Sequence, residues 1–484
     1  MNGNKQLVES LVFKFIERVG VRLIAFVISV ILARLIDPAT FGLLAIITVF
    51  VSLSQVFVQG GLNIALVQCK EVDEEDYSTV FWISLLVAIL FYILLYATAP
   101  VIAHFYDSEE LVHPLRVLGI TLLFGAVNSI QTAQLSREMR FGSQMVCNLI
   151  ATVIAGCAGI VCAYLEWGIW ALVVYNATNQ VLVCFLMVFA TKWRPKFVFF
   201  KWRAVRFVRY GWKILVSNLL YSLYSDLRSL IVGRVFSTED LAYYDRGNQL
   251  PNMVAFNLDQ AIQSVMLPTL SKLQDQKEQV RHKLRRMEQV SSYLICPIMV
   301  GIAVVAHSFV MLFLSEAWLV CVPYMMVFSI GYCFMPVASY CNVAVKAIGR
   351  ADVYAKNQAI RIATMFVLLI VSVLVFRSVM AIVICYAISL FLEMIIAIWP
   401  TRKLIDYSYF AAMHDVLPNF SIALFAGAVA YCIKFVNVPM IWEFILQIIT
   451  GIAAYLLMSI ITKNKSFRYI LGRVRELKLH GSKG

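Results

Sequence analysis

The sequence predicts an all-α membrane protein of about fourteen transmembrane helices, arranged as two pseudo-symmetric six-helix lobes around a central cleft plus two C-terminal helices. Three observations carry this expectation: an apolar composition, apolar runs of spanning length from end to end, and an internal repeat. Of 484 residues, 61% are hydrophobic and only 14% charged, against roughly 25% charged residues in an ordinary soluble domain.

In chain order the expected spans are 11–36, 41–66, 78–104, 114–135, 143–164, 168–190, 211–236, 246–270, 290–315, 320–345, 357–377, 380–400, 417–435 and 440–462. They divide into a first lobe at 1–190, a basic cytoplasmic linker at 191–210, a second lobe at 211–400, accessory helices at 401–462 and a basic tail at 463–484. The first span carries Glu17 and Arg18 where a cleaved leader needs an apolar stretch, and no small-residue cleavage site follows, so it reads as a retained helix.

That first span also holds Lys14, Arg18 and Arg22, four residues apart and therefore on one helical face. At the bilayer centre each cation costs about 2.5 to 3.5 kcal/mol, so the ladder must face water, protein or ligand. Arg18 and Arg22 would stand about 6 Å apart along the axis, a separation suited to forked hydrogen bonds with a pyrophosphate. The alternative is that Glu17 neutralises Lys14, which then reaches the interface along its own aliphatic stem.

Span two closes on a polar stripe of Gln55, Gln59 and Asn63, and span eight carries a longer one of Asn248, Asn252, Asp259 and Gln263. Amides at helical spacing suit a cavity that hydrogen-bonds sugars; the competing reading is a polar seam between helices. Span seven holds Asp226 and Arg228, two residues apart and so not facing each other. Ligand binding, proton coupling and a structural ion pair all remain open for them. Arg34 and Arg234 end their helices as caps or gate residues. Lys346, Arg350 and Lys356 read as positive-inside anchors, whereas Arg361 lies far enough into its helix to look inward. Pro251, Pro268, Pro297 and Pro336 bend helices, either for motion or as static kinks.

With the N-terminus inside, the cytoplasmic loops and tail collect most of the Lys and Arg, which places both termini in the cytoplasm. The net charge of +13 therefore reads as topology and contact with membrane lipids, not nucleic-acid binding. The 11 cysteines fall mostly within apolar spans without paired spacing and read as small buried apolar residues. No phosphate-binding Gly-Lys loop, catalytic constellation or metal-ligand spacing appears, so no enzyme activity, cofactor or metal is expected.

The repeat organises these features. Ile31 to Gly42 aligns without gaps on Ile231 to Ala242 at a shift of 200, Gly61 to Gln68 falls on Ala261 to Pro268, and Arg140 matches Arg350 at a shift of 210. An even number of intervening spans makes the repeat parallel, with its axis along the membrane normal, and alternating access is the mechanism such repeats support. At the same shift Arg18 and Arg22 fall on Asn218 and Ser222, so the second lobe does not copy the cations and a lopsided site is expected.

The run Leu32-Ala-Arg-Leu-Ile-Asp-Pro-Ala-Thr-Phe-Gly42, the run Gly60-Gly-Leu-Asn-Ile-Ala-Leu-Val-Gln68, and Ile231 through Arg246 resemble the polysaccharide-transporter family of lipid-linked oligosaccharide flippases. That family belongs to the multidrug/oligosaccharidyl-lipid/polysaccharide superfamily; the likeness is to its exopolysaccharide, colanic-acid-like and teichuronic-acid-like branch. It implies transfer of an undecaprenyl-pyrophosphate-linked glycan across a bacterial cytoplasmic membrane, through a cationic lumen, coupled to H+ or Na+. The acids Glu17 and Asp226 depart from the family pattern and are the coupling candidates. A monomer working beside polysaccharide assembly proteins is expected. Two rivals are weighed: a drug or metabolite cation antiporter of the same superfamily, which wants an acidic lumen, and a membrane polysaccharide polymerase or ligase, which wants a large outer loop.

Overall fold

The structure is a computed structural model that describes residues 20–191, 193–436 and 438–472. It is helical, with no β-strand among the described residues. Eleven helical segments among them are long and apolar enough to cross a membrane, which makes the chain a multi-pass membrane protein. The expected count of fourteen is not confirmed. The first helix is described only from residue 20, and two long helices, Lys201–Val235 and Thr238–Ser271, are too polar to qualify as apolar spans.

The chain forms two compact units, Met1–Ala242 and Tyr243–Gly484. The first contains α1 (20–35), α2 (Pro38–Gln59), α3 (Leu62–Gln68), α4 (Glu74–Phe105), α5 (Val112–Gly119), α6 (Thr121–Arg137), α7 (Phe141–Tyr164), α8 (Ile169–Thr191) and α9 (Lys201–Val235). Helix α10 (Thr238–Ser271) leads into the second, followed by α11 (Lys277–Phe309), α12 (Cys321–Tyr332), α13 (Met335–Ala347), α14 (Ala351–Val371), α15 (Val379–Ile405), α16 (Tyr409–Tyr431) and α17 (Met440–Ile461).

The repeat is visible in the caps. Asp37 accepts from the Thr40 amide at 2.9 Å and starts α2, with Pro38 in the first turn, where its missing N–H is no loss. Two hundred residues on, Ser237 accepts from the Asp240 amide at 3.0 Å and starts α10. Arg140 and Arg350 precede α7 and α14 with nearly equal backbone angles (φ −89°, ψ 51° and φ −91°, ψ 60°). Each follows a residue in the left-handed region, Met139 (φ 53°) and Gly349 (φ 77°).

The copies diverge where glycine differs. Span two was expected to run unbroken through 41–66, but Gly60 (φ 54°) and Gly61 (φ 68°) are both left-handed and separate α2 from α3. A Cβ on Gly61 would lie 2.6 Å from the Gly211 carbonyl oxygen, so the break also lets α9 approach closely. The equivalent Gln260-Ala261 continues helix through α10. Two other expected spans are interrupted. Run 114–135 takes a 3₁₀ step, with the Ile120 amide bonding Val117 O at 3.1 Å. Run 320–345 restarts at Met335, because Pro336 has no amide hydrogen to continue the ladder. Pro336 therefore opens a helix, whereas Pro251, Pro268 and Pro297 lie inside theirs. Helix α9 begins at Lys201, ahead of the expected 211.

Packing within each unit follows the buried stripes. In the first, Ile28 and Leu32 of α1 and Ile36 just after it pack on Cys162, Ala163, Ala171 and Leu172 of α7 and α8, and Leu66, Phe81, Ile130 and Phe207 join α3, α4, α6 and α9. In the second, Leu270, Leu284, Tyr340, Ile398 and Val416 bring α10, α11, α13, α15 and α16 together. Segments Asp352–Phe376 and Met440–Ile461 bury only 17% of their apolar windows, an outward-facing apolar surface suited to lipid.

Candidate functional site

Three members of the expected cationic and coupling set, Lys14, Glu17 and Arg18, lie outside the described residues, as does the tail beyond 472. Arg22 is half-buried on α1. On α9, Arg228 is 8% exposed, while Asp226 accepts from Ser222 Oγ at 3.0 Å and from Ser52 Oγ of α2 at 3.3 Å. Asp226 thus links α2 to α9 through hydroxyls. Arg34 is exposed at the end of α1. Arg234 bonds Asp107 Oδ2 at 2.6 Å and lies 4.9 Å from the Phe105 ring centre, tying the end of α9 to the turn after α4.

The stripe in the first unit is dispersed. Gln55 lies against the backbone of α6 at Gly125, where a Cβ would meet its side-chain amide at 2.2 Å; Gln59 is half-buried. Asn63 sits beyond the glycine break, on α3. In the second unit the stripe is gathered. Asn252 Nδ2 donates to Tyr332 Oη at 2.8 Å, and that hydroxyl donates to Asn248 Oδ1 at 2.8 Å. Gln263 Nε2 donates to Asp259 Oδ2 at 2.6 Å, and Ser339 Oγ donates to the same oxygen at 3.0 Å. Asn252 remains exposed, whereas Asp259 is 3% exposed. The α10 stripe therefore faces α12 and α13 as a hydrogen-bonded seam with one open end. Arg361 of α14 pairs with Glu393 of α15 at 2.9 Å, which satisfies both charges within the unit.

Several groups escaped sequence reasoning. Glu393 is a lone acid inside an apolar run, a signal that an intramembrane partner was needed. Glu288 is 1% exposed; it receives the Tyr407 hydroxyl and faces Cys341 Sγ at 3.6 Å. Asp415 of α16 takes a forked pair of bonds from Arg285 of α11 at 2.8 and 2.9 Å and a third from Gln289 at 2.7 Å. Glu288 and Arg285 sit in a charged stretch that conceals their role, and no local spacing announces Asp415 as their neighbour. Arg137 caps α3 by donating to the carbonyls of Leu66, Val67, Cys69 and Lys70.

The basic segment that leads into the first turn of α9 is similarly engaged. Arg203, 12% exposed at its side chain, binds Asp73, Glu75 and Asp76 at the start of α4. Its hydrogen bond holds the Asp73 carboxyl down at about 2. Lys196 pairs with Glu74, which raises the Lys196 ammonium above its ordinary range. These two cations are thus committed to acids of the same unit. A cavity of about 520 Å³ in the second unit is lined by Val300, Val304, Met326, Ile330 and Leu424, and offers hydrocarbon contact with no cationic chemistry.

The all-helical body of membrane-spanning segments has the fold of two solved structures. A lipid II flippase (MurJ, inward closed conformation) superposes with a TM-score of 0.74 at 16% identity, covering 94% of this chain and 99% of that one. An inward-facing multidrug resistance MATE family transporter of the MOP superfamily superposes with a TM-score of 0.59 at 14% identity, covering 81% and 99%. The sequence profile of the family described as "Polysaccharide biosynthesis protein" matches residues 31–323, and the chain belongs to that family. Among its relatives are the teichuronic acid biosynthesis protein TuaB of Bacillus subtilis (strain 168), 23% identical with 78% of each chain covered, and the lipopolysaccharide biosynthesis protein WzxC of Escherichia coli (strain K12), 21% identical with 67% of each covered. The succinoglycan biosynthesis transport protein ExoT of Rhizobium meliloti (strain 1021) is 22% identical, with 65% of this chain and 64% of that one covered.

Proposed function

We propose that this protein is a flippase that carries an undecaprenyl-pyrophosphate-linked oligosaccharide unit across the bacterial cytoplasmic membrane by alternating access, for surface polysaccharide synthesis. The observation that carries the reading is the family match over residues 31–323, joined to the fold of a lipid II flippase. It is a transporter, not an enzyme.

In this reading Arg18 and Arg22, with Lys14 below them, receive the pyrophosphate, and Arg228 and Arg361 extend the positive field from elsewhere in the chain. Gln55, Gln59 and Asn63, with Asn252 at the open end of its seam, offer amides to the sugars. Arg34 and Arg234 govern the helix ends. An H+ or Na+ gradient drives the cycle. Both termini lie in the cytoplasm, and the protein works as a monomer beside the enzymes that build and polymerise the glycan.

The test is complementation of a deletion strain. Arg18→Glu and Arg22→Glu, inserted at normal levels, abolish surface polysaccharide and let the lipid-linked unit accumulate on the inside. Full complementation by both variants sinks the cationic site. Uptake of organic cations into vesicles at wild-type expression would instead favour the antiporter.

A further inference from the structure

Helices α10, α13, α14 and α15 of the second unit converge on a buried cluster whose two acids the sugar and pyrophosphate roles leave unused. Asp259 of α10 is 3% exposed. Its Oδ2 accepts from Gln263 at 2.6 Å and from Ser339 of α13 at 3.0 Å, while Oδ1 has no hydrogen-bond partner among the described residues. Within electrostatic reach stands Glu393 of α15, which is paired with Arg361 of α14 at 2.9 Å. Among the described residues, Tyr340 of α13 also faces it, and its hydroxyl shares a hydrogen bond with Ser291 of α11 at 2.8 Å.

The charges do not cancel. Among the described residues of this cluster, Asp259 and Glu393 contribute two negative charges and Arg361, paired with Glu393, one positive, so the excess negative charge falls on Asp259, which is 3% exposed. A monovalent cation would neutralise it. A metal ion needs several oxygens around it at about 2.0 to 2.6 Å, whereas here one carboxylate oxygen is already ringed by donors and a single oxygen is open. One lone pair is enough for a proton.

We propose that Asp259 Oδ1 is a proton-binding site, and that it supplies the coupling ion for the flippase cycle; the second clause rests on the flippase reading, the first does not. A hydrogen bond to a carboxylate is roughly twice as strong as one to a neutral acid. Proton loading therefore weakens the hold of Asp259 on Ser339 and loosens α10 from α13, and proton release tightens it. A proton bound here is translated into helix contact.

The site is tested first without any glycan, on full-length protein in liposomes, by infrared difference spectra recorded as pH is varied. Subtracting the Asp259→Asn spectra from the wild-type spectra cancels the other carboxyl groups of the chain and leaves one protonated carboxylic acid band that grows as pH falls; Glu393→Gln retains that band. Ser339→Ala, which removes one charge-assisted bond, moves the midpoint up by about one pH unit, a tenfold gain in proton affinity. Asp259→Glu, which guards against misfolding of the Asn variant, shifts the band frequency. No band in that subtraction, or an unchanged band in Asp259→Glu, overturns the site, as does a band that answers to Na+ at fixed pH. Coupling is then read as acceleration, by an imposed pH gradient, of flipping of a fluorescent polyprenyl-pyrophosphate glycan. Wild type is accelerated and Asp259→Asn is not; equal acceleration overturns the coupling role. Because the infrared arm uses no substrate, its failure leaves the flippase reading standing, and failure of the Arg18 and Arg22 variants leaves the proton site standing.

Discussion

Replacing Asp415 by Ala should detach α16 from α11 at one defined point. The Asp415 side chain is 0% exposed and receives two hydrogen bonds from Arg285 and one from Gln289, at 2.7 to 2.9 Å, and a longer one from the Tyr407 hydroxyl at 3.5 Å. Stripping a partner from a fully buried ion pair costs about 3 to 5 kcal/mol. Arg285, however, is 37% exposed at its side chain and can turn to water, so the expected loss is the smaller figure of about 2 to 3 kcal/mol. The assay is reversible unfolding of the purified protein in mixed micelles with increasing sodium dodecyl sulfate, for Asp415→Ala, Arg285→Ala and the double variant. The pair should show a coupling energy of at least about 1 kcal/mol, in the range found for contacting charged residues. Asp415→Asn keeps the shape and loses the charge, and should fall between. Strict additivity of the two single variants would refute the reasoning, because it would mean the forked bond contributes nothing beyond the separate side chains.

Two further outcomes follow from the first unit. Gly61→Ala should lower stability by more than about 1 kcal/mol, the usual cost of a side chain at positive φ, because its Cβ would also stand 2.6 Å from Gly211 O. Gly301→Ala, where a Cβ meets nothing within 4 Å, should be neutral or stabilising in the same unfolding assay. The second outcome concerns pH. Asp73 is held at about 2, below the ordinary 3.8, by its bond to Arg203. A depressed carboxylate stabilises the fold above its unfolded value and loses that contribution as pH falls through the folded one. Thermal stability should therefore drop between about pH 4 and pH 2, and Arg203→Ala should flatten that drop. An identical acid profile in the variant would show that other carboxylates govern it.

The two polar stripes show where local reading reaches its limit. Both were drawn from the same three-to-four-residue spacing, yet the structure gathers one and scatters the other. Asn248, Asn252, Asp259 and Gln263 stay on one face because α10 is continuous past both its prolines. Gln55, Gln59 and Asn63 part company because Gly60 and Gly61 turn the chain between the second and third of them. The glycine pair was visible as part of a family motif, but its dihedral angles were not. Glu393 was equally visible, as an acid in an apolar run, and its partner Arg361 was singled out without it.

The sequence by itself determined that this chain lives in a membrane, that it is helical, and to which family it belongs. The first two are properties of composition and periodicity, the family is carried by the runs 32–42 and 60–68, and all survive any shift of a helix boundary by a few residues. The caps at Asp37 and Ser237, and the matched turns before α7 and α14, obey the repeat because hydrogen bonding at a helix end is local. Only the tertiary structure decided which charges cancel. Arg203 meets residues about 130 positions away, Arg285 meets Asp415, and Asp259 keeps one oxygen without a hydrogen-bond partner among the described residues. A buried charge is settled by whichever group lies within a few ångströms of it, and that distance is fixed by how helices pack, not by spacing along the chain.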